Sequence, residues 1–378
     1  MSGYRTLHRE EGSIKNPIWS VTFVGNTLYA STAAGCVHAY QIEQKSVSDA
    51  TDNLDARGLY IQHFETLHPY SSRKSIASNL MLCKVKAARV EDDDDNDRSG
   101  MHHNIVCAAS IDGKVIIWHH HFDVERIKKS ISGVVKSVGN VYTDMVYSCE
   151  NVTGTNMEMR PYNYGNMHAA VGCRNGNICI LGVGSEKDRK RAQLGSVVEV
   201  IESSHLGKAC VMSLAWSSDS NILASGLKNG MVDIYQRSHD GNSARFTFSK
   251  LHSIVAHQKP VRALYFTHDN QILLTSGDDS KIQSYEVDRE ASKVRLTNSY
   301  RDVSWVLDVV SHPDSRRIMS AHADKKVKIW NLTMRESVHT FDGAHTDKVW
   351  GLSVNNDGTR IASCGDDGKI VVYSCDEK

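Results

Sequence analysis

The sequence of 378 residues predicts an all-β protein made of short antiparallel strands. The clearest observation lies between Ala344 and Tyr373, where three stretches alternate apolar and polar residues. Asn, Asp and Gly residues at 356–358 and 365–368 separate these stretches, and no apolar stripe of helical period runs through them. Alternation of period two that is bounded by such turns is typical of strands joined by hairpins.

A second observation is that this unit recurs. Successive copies end 50 residues apart (235 to 285), then 45 (285 to 330), then 43 (330 to 373). In five copies an acid or amide stands six residues before the aromatic that closes the third strand. The pairs are Asp112 and Trp118, Asn229 and Tyr235, Asp279 and Tyr285, Asp324 and Trp330, and Asp367 and Tyr373. Two weaker copies end at Tyr40 and Leu181. Seven copies of four strands predict one seven-bladed β-propeller over residues 1–378.

The N-terminal segment has a predicted place in this ring. The seventh copy ends at Tyr373 with too few residues for a fourth strand. Because an open ring leaves an unpaired strand edge, we expect residues 4–8 to complete blade 7 by pairing with its third strand. The segment Val141–Cys149 is expected to open blade 3, and insertions are expected at about 43–59, 91–103 and 150–166.

Composition excludes several classes of protein. Forty-four Lys and Arg balance forty-four Asp and Glu, which argues against broad nucleic-acid binding. No run of eighteen apolar residues predicts a membrane helix, and the first residues lack the apolar core of a signal peptide. Nine scattered cysteines are typical of free thiols in a reducing compartment. These features predict a soluble intracellular protein.

The motifs that carry catalysis or hold a metal are missing from the sequence. There is no phosphate-binding loop, nucleophile elbow, dinucleotide fingerprint or zinc spacing, so neither an enzyme nor a cofactor is expected. The acidic run at 91–97 lacks the Gly and Glu of a calcium loop, and we interpret it as a solvated turn. His119, His120 and His121 are consecutive, and adjacent strand residues point to opposite faces, so these histidines are not expected to share a metal.

The repeats resemble the WD-repeat family. His257 and His345 stand at the histidine of that family's pattern, and Trp118 and Trp330 at its tryptophan. The resemblance implies that a His, a hydroxyl, the turn Asp and the aromatic residue hydrogen-bond inside each blade. Because these residues repeat from blade to blade, we interpret them as structural. The set is His257, Ser276, Asp279, His345, Ser363, Asp367, Asp324, Trp330, Asp112 and Trp118.

Candidate protein-binding residues lie near the starts of the innermost strands. Trp19 and Trp350 follow the apolar residue that opens such a strand, and Trp305 precedes it. The WD-repeat resemblance places them at the upper rim, and tryptophan is enriched at interaction hot spots. Packing between blades is the alternative. Residues before the turn position also reach this rim, and they are Ile111, Arg174, Lys228, Asp278 and Asp366. A partner arginine is expected to pair with either of the two aspartates.

A closer resemblance is found at the two ends of the chain. Residues 4–21 and 304–373 are similar to the WD-repeat subunits of superkiller (SKI) complexes. This implies a scaffold, monomeric within a hetero-complex, that docks on a tetratricopeptide protein and an RNA helicase. Such complexes feed messenger RNA to the cytoplasmic exosome for 3′-to-5′ decay. Relatives also join the RNA polymerase II-associated factor (PAF) complex in the nucleus, or act in fungal meiotic recombination. The alternatives are another WD-repeat adaptor, such as a ubiquitin-ligase substrate receptor, and a propeller that binds RNA directly.

Overall fold

The strands form a closed ring of seven sheets. The computed structural model describes residues 4–10, 15–44, 59–68, 81–89, 101–110, 114–123, 139–148, 152–162, 166–184, 197–203, 209–239, 246–288 and 293–375. These residues form seven antiparallel sheets of four strands and no helix, so none crosses a membrane as a helix. The innermost strands of consecutive sheets contact one another around the whole ring. The predicted seven-bladed propeller is confirmed.

Each blade runs from an innermost strand at the central channel to an outermost strand at the periphery. Blade 1 comprises β2 (Ile18–Val24), β3 (Thr27–Thr32), β4 (Val37–Gln44) and β5 (Leu59–Leu67). Blade 2 comprises β6 (Leu82–Arg89), β7 (Met101–Ser110), β8 (Lys114–Asp123) and β9 (Gly139–Ser148). Blade 3 comprises β10 (Val152–Tyr162), β11 (Asn166–Cys173), β12 (Ile178–Gly184) and β13 (Val197–Ile201). Blade 4 comprises β14 (Val211–Trp216), β15 (Ile222–Leu227), β16 (Met231–His239) and β17 (Phe246–Val255). Blade 5 comprises β18 (Val261–Phe266), β19 (Ile272–Gly277), β20 (Lys281–Asp288) and β21 (Lys293–Arg301). Blade 6 comprises β22 (Val306–Ser311), β23 (Arg317–His322), β24 (Val327–Asn331) and β25 (Glu336–Phe341). Blade 7 comprises β26 (Val349–Val354), β27 (Arg360–Gly365), β28 (Ile370–Ser374) and β1 (Arg5–Glu10).

The first strand of the chain closes the ring, as predicted. β1 pairs antiparallel with β28, and Arg5 stands opposite Ser374. Tyr4, just before β1, is buried in an apolar cluster with Phe341 and Tyr373. The guanidinium of Arg317 donates a hydrogen bond of 3.4 Å to the Tyr4 hydroxyl. The N-terminal segment is therefore held by main-chain pairing, by packing and by a side-chain hydrogen bond.

Blade 3 differs from the sequence prediction. The segment expected to open it, Val141–Cys149, largely coincides with β9, which is the outermost strand of blade 2. Residues 152–162, expected to lie in an insertion at 150–166, form the innermost strand of blade 3 and pair with β11. The ladder of main-chain hydrogen bonds does not require an alternating side-chain pattern, so a strand formed where the pattern is weak. The other two predicted insertions are shorter than expected, because β4 extends to Gln44 and β7 begins at Met101, and the residues between the flanking strands lie outside the described part of the chain.

The apolar core lies between blades rather than within one sheet. Successive side chains of a strand point to opposite faces, so each sheet presents apolar residues to both neighbours. Seven buried clusters result, and each joins two adjacent blades. One of them packs Ile18 and Tyr40 of blade 1 against Ala362 and Val372 of blade 7. The ring is thus stabilised at every blade boundary.

The hydrogen-bond network expected inside each blade is complete in blade 7. His345 Nδ1 lies 3.1 Å from the Asp367 carboxylate, and His345 Nε2 lies 2.7 Å from Ser363 Oγ. Ser363 Oγ in turn lies 2.9 Å from the Tyr373 hydroxyl. Burial raises the pKa of Asp367, but hydrogen bonds from His345 and the Thr346 N–H outweigh it and hold that pKa below its ordinary value. The buried carboxylate is satisfied and stays ionised.

Blade 5 shows the same network with one correction. His257 Nδ1 contacts Asp279 at 2.8 Å, but its Nε2 contacts Thr275 Oγ1 at 2.9 Å rather than Ser276. Ser276 is one residue further along β19, so its side chain points to the opposite face of the sheet. Tyr285 donates to Gln283 instead of joining the network. The predicted serine is therefore wrong, and Thr275 is the hydroxyl of blade 5.

Blade 6 differs from blades 5 and 7 at two positions of this network. Asp302 lies 45 residues after His257, at the position of the network histidine, and His322 stands in the strand register of Gly277 and Gly365. At Gly277 an added Cβ would lie 2.9 Å from the His257 ring, so the two sites cannot both carry a large side chain. In blade 6, Trp330 Nε1 donates to Ser320 Oγ at 2.7 Å, and Ser320 Oγ contacts His322 Nε2 at 2.6 Å. Lys328 Nζ lies 2.7 Å from Asp302. Asp324 was predicted to be the turn aspartate of this network, but its buried Oδ1 has no hydrogen-bond partner among the residues that the structure describes.

Two further structural predictions concern blade 2. Trp118 is fully buried, and its indole N–H donates to the main-chain carbonyl of His68, at 3.1 Å, next to blade 1. Asp112, its predicted partner, lies outside the described residues. His120 is also fully buried, between the Tyr29 hydroxyl at 2.8 Å and the Glu65 carboxylate at 3.2 Å. Both side chains thus bind blade 2 to blade 1.

Candidate functional site

A β-bulge opens the innermost strand of six blades at the same position. The residue before each bulge is apolar and fully buried, and these anchors are Ile18, Leu82, Val211, Val261, Val306 and Val349. The next residue is skipped in the pairing with the second strand. A bulge leaves its extra residue unpaired and re-aims the side chain. The six bulged residues are Trp19, Cys83, Met212, Arg262, Leu307 and Trp350.

All six bulged residues line one cavity of about 350 Å³. It lies at the upper mouth of the central channel, where the innermost strands begin. Lys84, Asp308 and Asp366 complete the lining that the structure describes. The two indoles, with the side chains of Met212 and Leu307, give the cavity its apolar walls. Its size is that of a small binding pocket.

The charged groups of the upper cavity are held by specific contacts. Trp19 Nε1 donates to Asp366 Oδ1 at 3.1 Å, which fixes the indole of blade 1 against the second turn of blade 7. Lys348 Nζ lies 3.8 Å from Asp366, and this exposed pair contributes little to stability. Arg262 binds both oxygens of Asp278 at 2.7 Å, so that aspartate is occupied.

Asp308 is a buried carboxylate on the channel wall. It accepts hydrogen bonds from the main-chain N–H of Leu352 in blade 7, at 2.8 Å, and of Val309, at 3.0 Å. Burial raises the pKa of Asp308, and Lys84 and Lys86 of blade 2 act against that rise from across the channel. Asp308 therefore ties blade 6 to blade 7 through its hydrogen bond with Leu352.

The structure brings together only part of the predicted binding set. Trp19, Trp350 and Asp366 meet in the upper cavity. Trp305 does not line it. Its side chain is 46% exposed, because it precedes the anchor Val306 instead of following it. Arg174 and Lys228 are exposed away from the cavity, Asp278 is 7% exposed behind Arg262, and Ile111 lies outside the described residues.

Six lining residues were missed from the sequence, of which two are Lys84 and Asp308. The other four are the bulged residues Cys83, Met212, Arg262 and Leu307. They share no chemistry, so residue type gives no signal. They do share a position, one residue after the apolar anchor, and aligning the seven repeats on that anchor would have found them.

The upper cavity carries groups suited to recognition. Cys83, the one thiol among its lining residues, donates weakly to the Met81 carbonyl at 3.6 Å, and no lining histidine accompanies it. Within the described part of the chain, no group of three His, Cys, Asp or Glu side chains is arranged to hold a metal ion. Apolar walls with a few fixed polar groups are typical of a ligand-binding pocket.

Comparison with known proteins agrees with the fold. Residues 196–236, 248–286, 295–331 and 335–374 match the family described as WD domain, G-beta repeat. The four matches fall mainly on blades 4 to 7 of the seven-bladed β-propeller, so the second half of the chain is similar to WD repeats.

Several curated WD-repeat proteins are similar to this chain. The WD repeat-containing protein 55 of Arabidopsis thaliana is 27% identical over 154 residues, 40% of this chain and 41% of that protein. A WD repeat-containing protein 26 homolog of the same plant is 27% identical over 184 residues, 48% of this chain and 29% of that protein. The WD repeat-containing protein SL1-17 of Schistosoma mansoni is 32% identical over 165 residues, 44% of this chain and 51% of that protein. The chain therefore spans about half the length of these relatives or less.

Proposed function

We propose that the protein is a non-catalytic scaffold whose upper cavity holds a short segment of a partner protein. The observation that carries this proposal is the ring of bulged residues, because six blades direct one side chain each into a single cavity. Main-chain pairing is interrupted at every one of these positions. Bulges next to binding sites re-aim side chains, and two of those side chains are tryptophans, the residue most enriched at hot spots.

The cavity also defines the chemistry of the segment. Trp350 Nε1 is buried and has no acceptor among the described residues, so a main-chain carbonyl of the partner is suited to accept its hydrogen bond. Asp366, held by Trp19 and only loosely by Lys348, is the carboxylate that a partner arginine can reach. Asp278 is not available to it, because Arg262 occupies both oxygens. An apolar side chain would fill the space between Leu307 and the two indoles.

We propose further that the assembly is of the superkiller type. The resemblance of residues 4–21 and 304–373 supports this. These two segments contain the cavity tryptophans of blades 1 and 7. The partners would be a tetratricopeptide protein and an RNA helicase that serve messenger-RNA decay by the exosome. The same surface would serve the PAF complex, so we expect the protein in both cytoplasm and nucleus.

The test compares tryptophans inside and outside the cavity. Trp19→Ala and Trp350→Ala remove an indole from the cavity, whereas Trp305→Ala removes an exposed indole that lies outside it. The tagged full-length protein is recovered from cells of its source organism, and co-purified proteins are quantified by mass spectrometry. Each cavity variant is expected to reduce partner recovery more than tenfold, since a hot-spot tryptophan contributes about 2 kcal/mol or more to binding. Trp305→Ala is expected to leave recovery unchanged.

Thermal melts of the three variants separate lost binding from lost folding. If Trp19→Ala and Trp350→Ala melt far below the wild type, the indoles are core residues and the proposed cavity function is wrong. If recovery persists in folded cavity variants, the partner binds elsewhere. If recovery depends on the cavity but yields no tetratricopeptide protein or helicase, the scaffold role stands and the superkiller assignment fails.

A further inference from the structure

The lower mouth of the channel has a second cavity, of about 370 Å³. It lies where the innermost strands end, on the face opposite the upper cavity. Three basic side chains line it, Lys86, Arg89 and His268. Hydroxyl and amide side chains surround them, including Thr22, Ser218, Asn355 and Asn356. No carboxylate is among the lining side chains that the structure describes, whereas the upper cavity has two.

Among the residues that the structure describes, the carboxylates of four turns at this mouth are held away from the cavity. Asp219, Asp269 and Asp357 each lie in the turn between the first and second strands of their blade. Each accepts hydrogen bonds from a hydroxyl and a main-chain N–H of its own turn. The corresponding Asp314 accepts from the guanidinium of Arg317 at 2.7 Å. None of these four carboxylates lines the cavity.

The basic side chains come mainly from one strand. β6 of blade 2 carries Lys84 into the upper cavity, and Lys86 and Arg89 into the lower one. The acid that the two lysines face across the channel, Asp308, lines the upper cavity. Toward the lower end the described channel therefore becomes basic. Lys86 is partly buried and Arg89 is exposed at the strand end, so a ligand can reach the guanidinium directly.

We propose that the lower cavity binds phosphate groups. A guanidinium and an ammonium make charge-assisted hydrogen bonds to phosphate oxygens, and the hydroxyl and amide side chains can complete their coordination. The volume admits a small polyphosphate or one phosphorylated side chain. The two sources share the same chemistry at the site. The inference is independent of the proposed scaffold function, since the two cavities share no lining residue.

Isothermal titration calorimetry on the full-length protein tests this proposal. The ligands are inositol hexakisphosphate and tripolyphosphate in one arm and a phosphoserine peptide with its unphosphorylated form in the other, all at physiological salt. Saturable binding is expected in at least one arm. Lys86→Gln and Arg89→Gln are each expected to weaken it by tenfold or more. The matched control is Arg316→Gln, which removes an exposed charge from the same face but outside the cavity, and it is expected to change the affinity less than twofold.

Each outcome decides the matter. Binding by the free polyphosphates identifies a small-molecule source, and binding by the phosphopeptide alone identifies a modified partner segment. No binding in either arm overturns the proposal. Binding that Lys86→Gln and Arg89→Gln leave unchanged also overturns it, as does an equal loss in Arg316→Gln, which would mark general charge attraction. Arg89 is exposed, so its variant is expected to melt like the wild type and to report on binding alone.

Discussion

Replacing Asp302 and His322 by the His and Gly that blades 5 and 7 carry at these positions should show strong coupling between the two sites. The double variant Asp302→His, His322→Gly would place an imidazole beside Asp324 and Ser320, as His257 and His345 are placed beside their partners. It would also give the orphaned Asp324 Oδ1 a donor. Each single variant creates half of this arrangement and damages the existing one.

The expected magnitudes follow from burial. Asp302→His removes the carboxylate that lies 2.7 Å from Lys328, and the Asp302 side chain is 3% exposed, so breaking this buried pair should cost about 4 kcal/mol. The introduced ring would also meet His322, by the same close approach that makes Gly277 necessary. His322→Gly removes a fully buried ring and its bond to Ser320, at a cost of about 3 kcal/mol. Independent sites would give about 7 kcal/mol for both changes.

We expect the double variant to lose at least 2 kcal/mol less than that sum, since contacting residues in one network couple by about 0.5–3 kcal/mol. Urea denaturation of the four proteins, followed by circular dichroism, measures the cycle. His257→Asp with Gly277→His, the reverse exchange in blade 5, is the matched control, and it should show coupling of the same sign. If the loss of the double variant equals the sum of the two single losses to within about 0.5 kcal/mol, residues 302 and 322 do not compensate for each other, and this prediction is wrong.

Two further predictions concern pH and the closure of the ring. Burial, together with Lys328, outweighs the nearby Asp302 and Asp324 carboxylates and lowers the pKa of His322 from 6.5 to about 4. The native state then binds fewer protons than the unfolded state, so His322 contributes stability above pH 6.5 that is lost as the pH falls toward 4, about 3 kcal/mol in all. His322→Gln should therefore flatten the dependence of unfolding free energy on pH over this range, and an unchanged slope would show that other groups carry it. Deleting residues 1–9 should lower the melting temperature sharply, because it removes all of β1 except Glu10 and exposes the edge of β28. Arg5→Ala changes an exposed side chain of β1 and should have little effect. An unchanged melt after the deletion would mean that β1 does not close the ring in solution.

Much of the fold was predictable because the signal repeats. Turn residues and closing aromatics recur in blades 4 to 7, and the pairing of β1 followed from counting strands in blade 7. Blade 3 was not predictable in detail, because Leu181 replaces its aromatic and β10 lacks an alternating pattern. Main-chain pairing with β11 defines that strand, and such pairing does not require an alternating pattern of apolar residues.

The upper cavity was predictable only where its residues are distinctive. Trp19 and Trp350 are conspicuous as tryptophans, but Arg262 and Leu307 are ordinary residues whose role depends on a bulge. Trp305 stands two residues before the bulged position of blade 6, so it lies beside the start of β22 and outside the cavity. The altered network of blade 6 could not be predicted either, because Asp302 and His322 each stand at a position where blades 5 and 7 carry a different residue.

The pairing of β1 with β28 can form only after the whole chain has been synthesised. Arg5 and Ser374 are neighbours in the sheet but are 369 residues apart in the chain (374 − 5). A ribosome adding about 5–20 residues per second needs roughly 20 to 70 seconds to cover that distance. During that time β1 lacks its partner strand, and the first and last blades of the incomplete ring each lack a neighbouring blade on one side. A chaperone bound to either of these exposed blades would therefore be displaced when β28 is made and the ring closes.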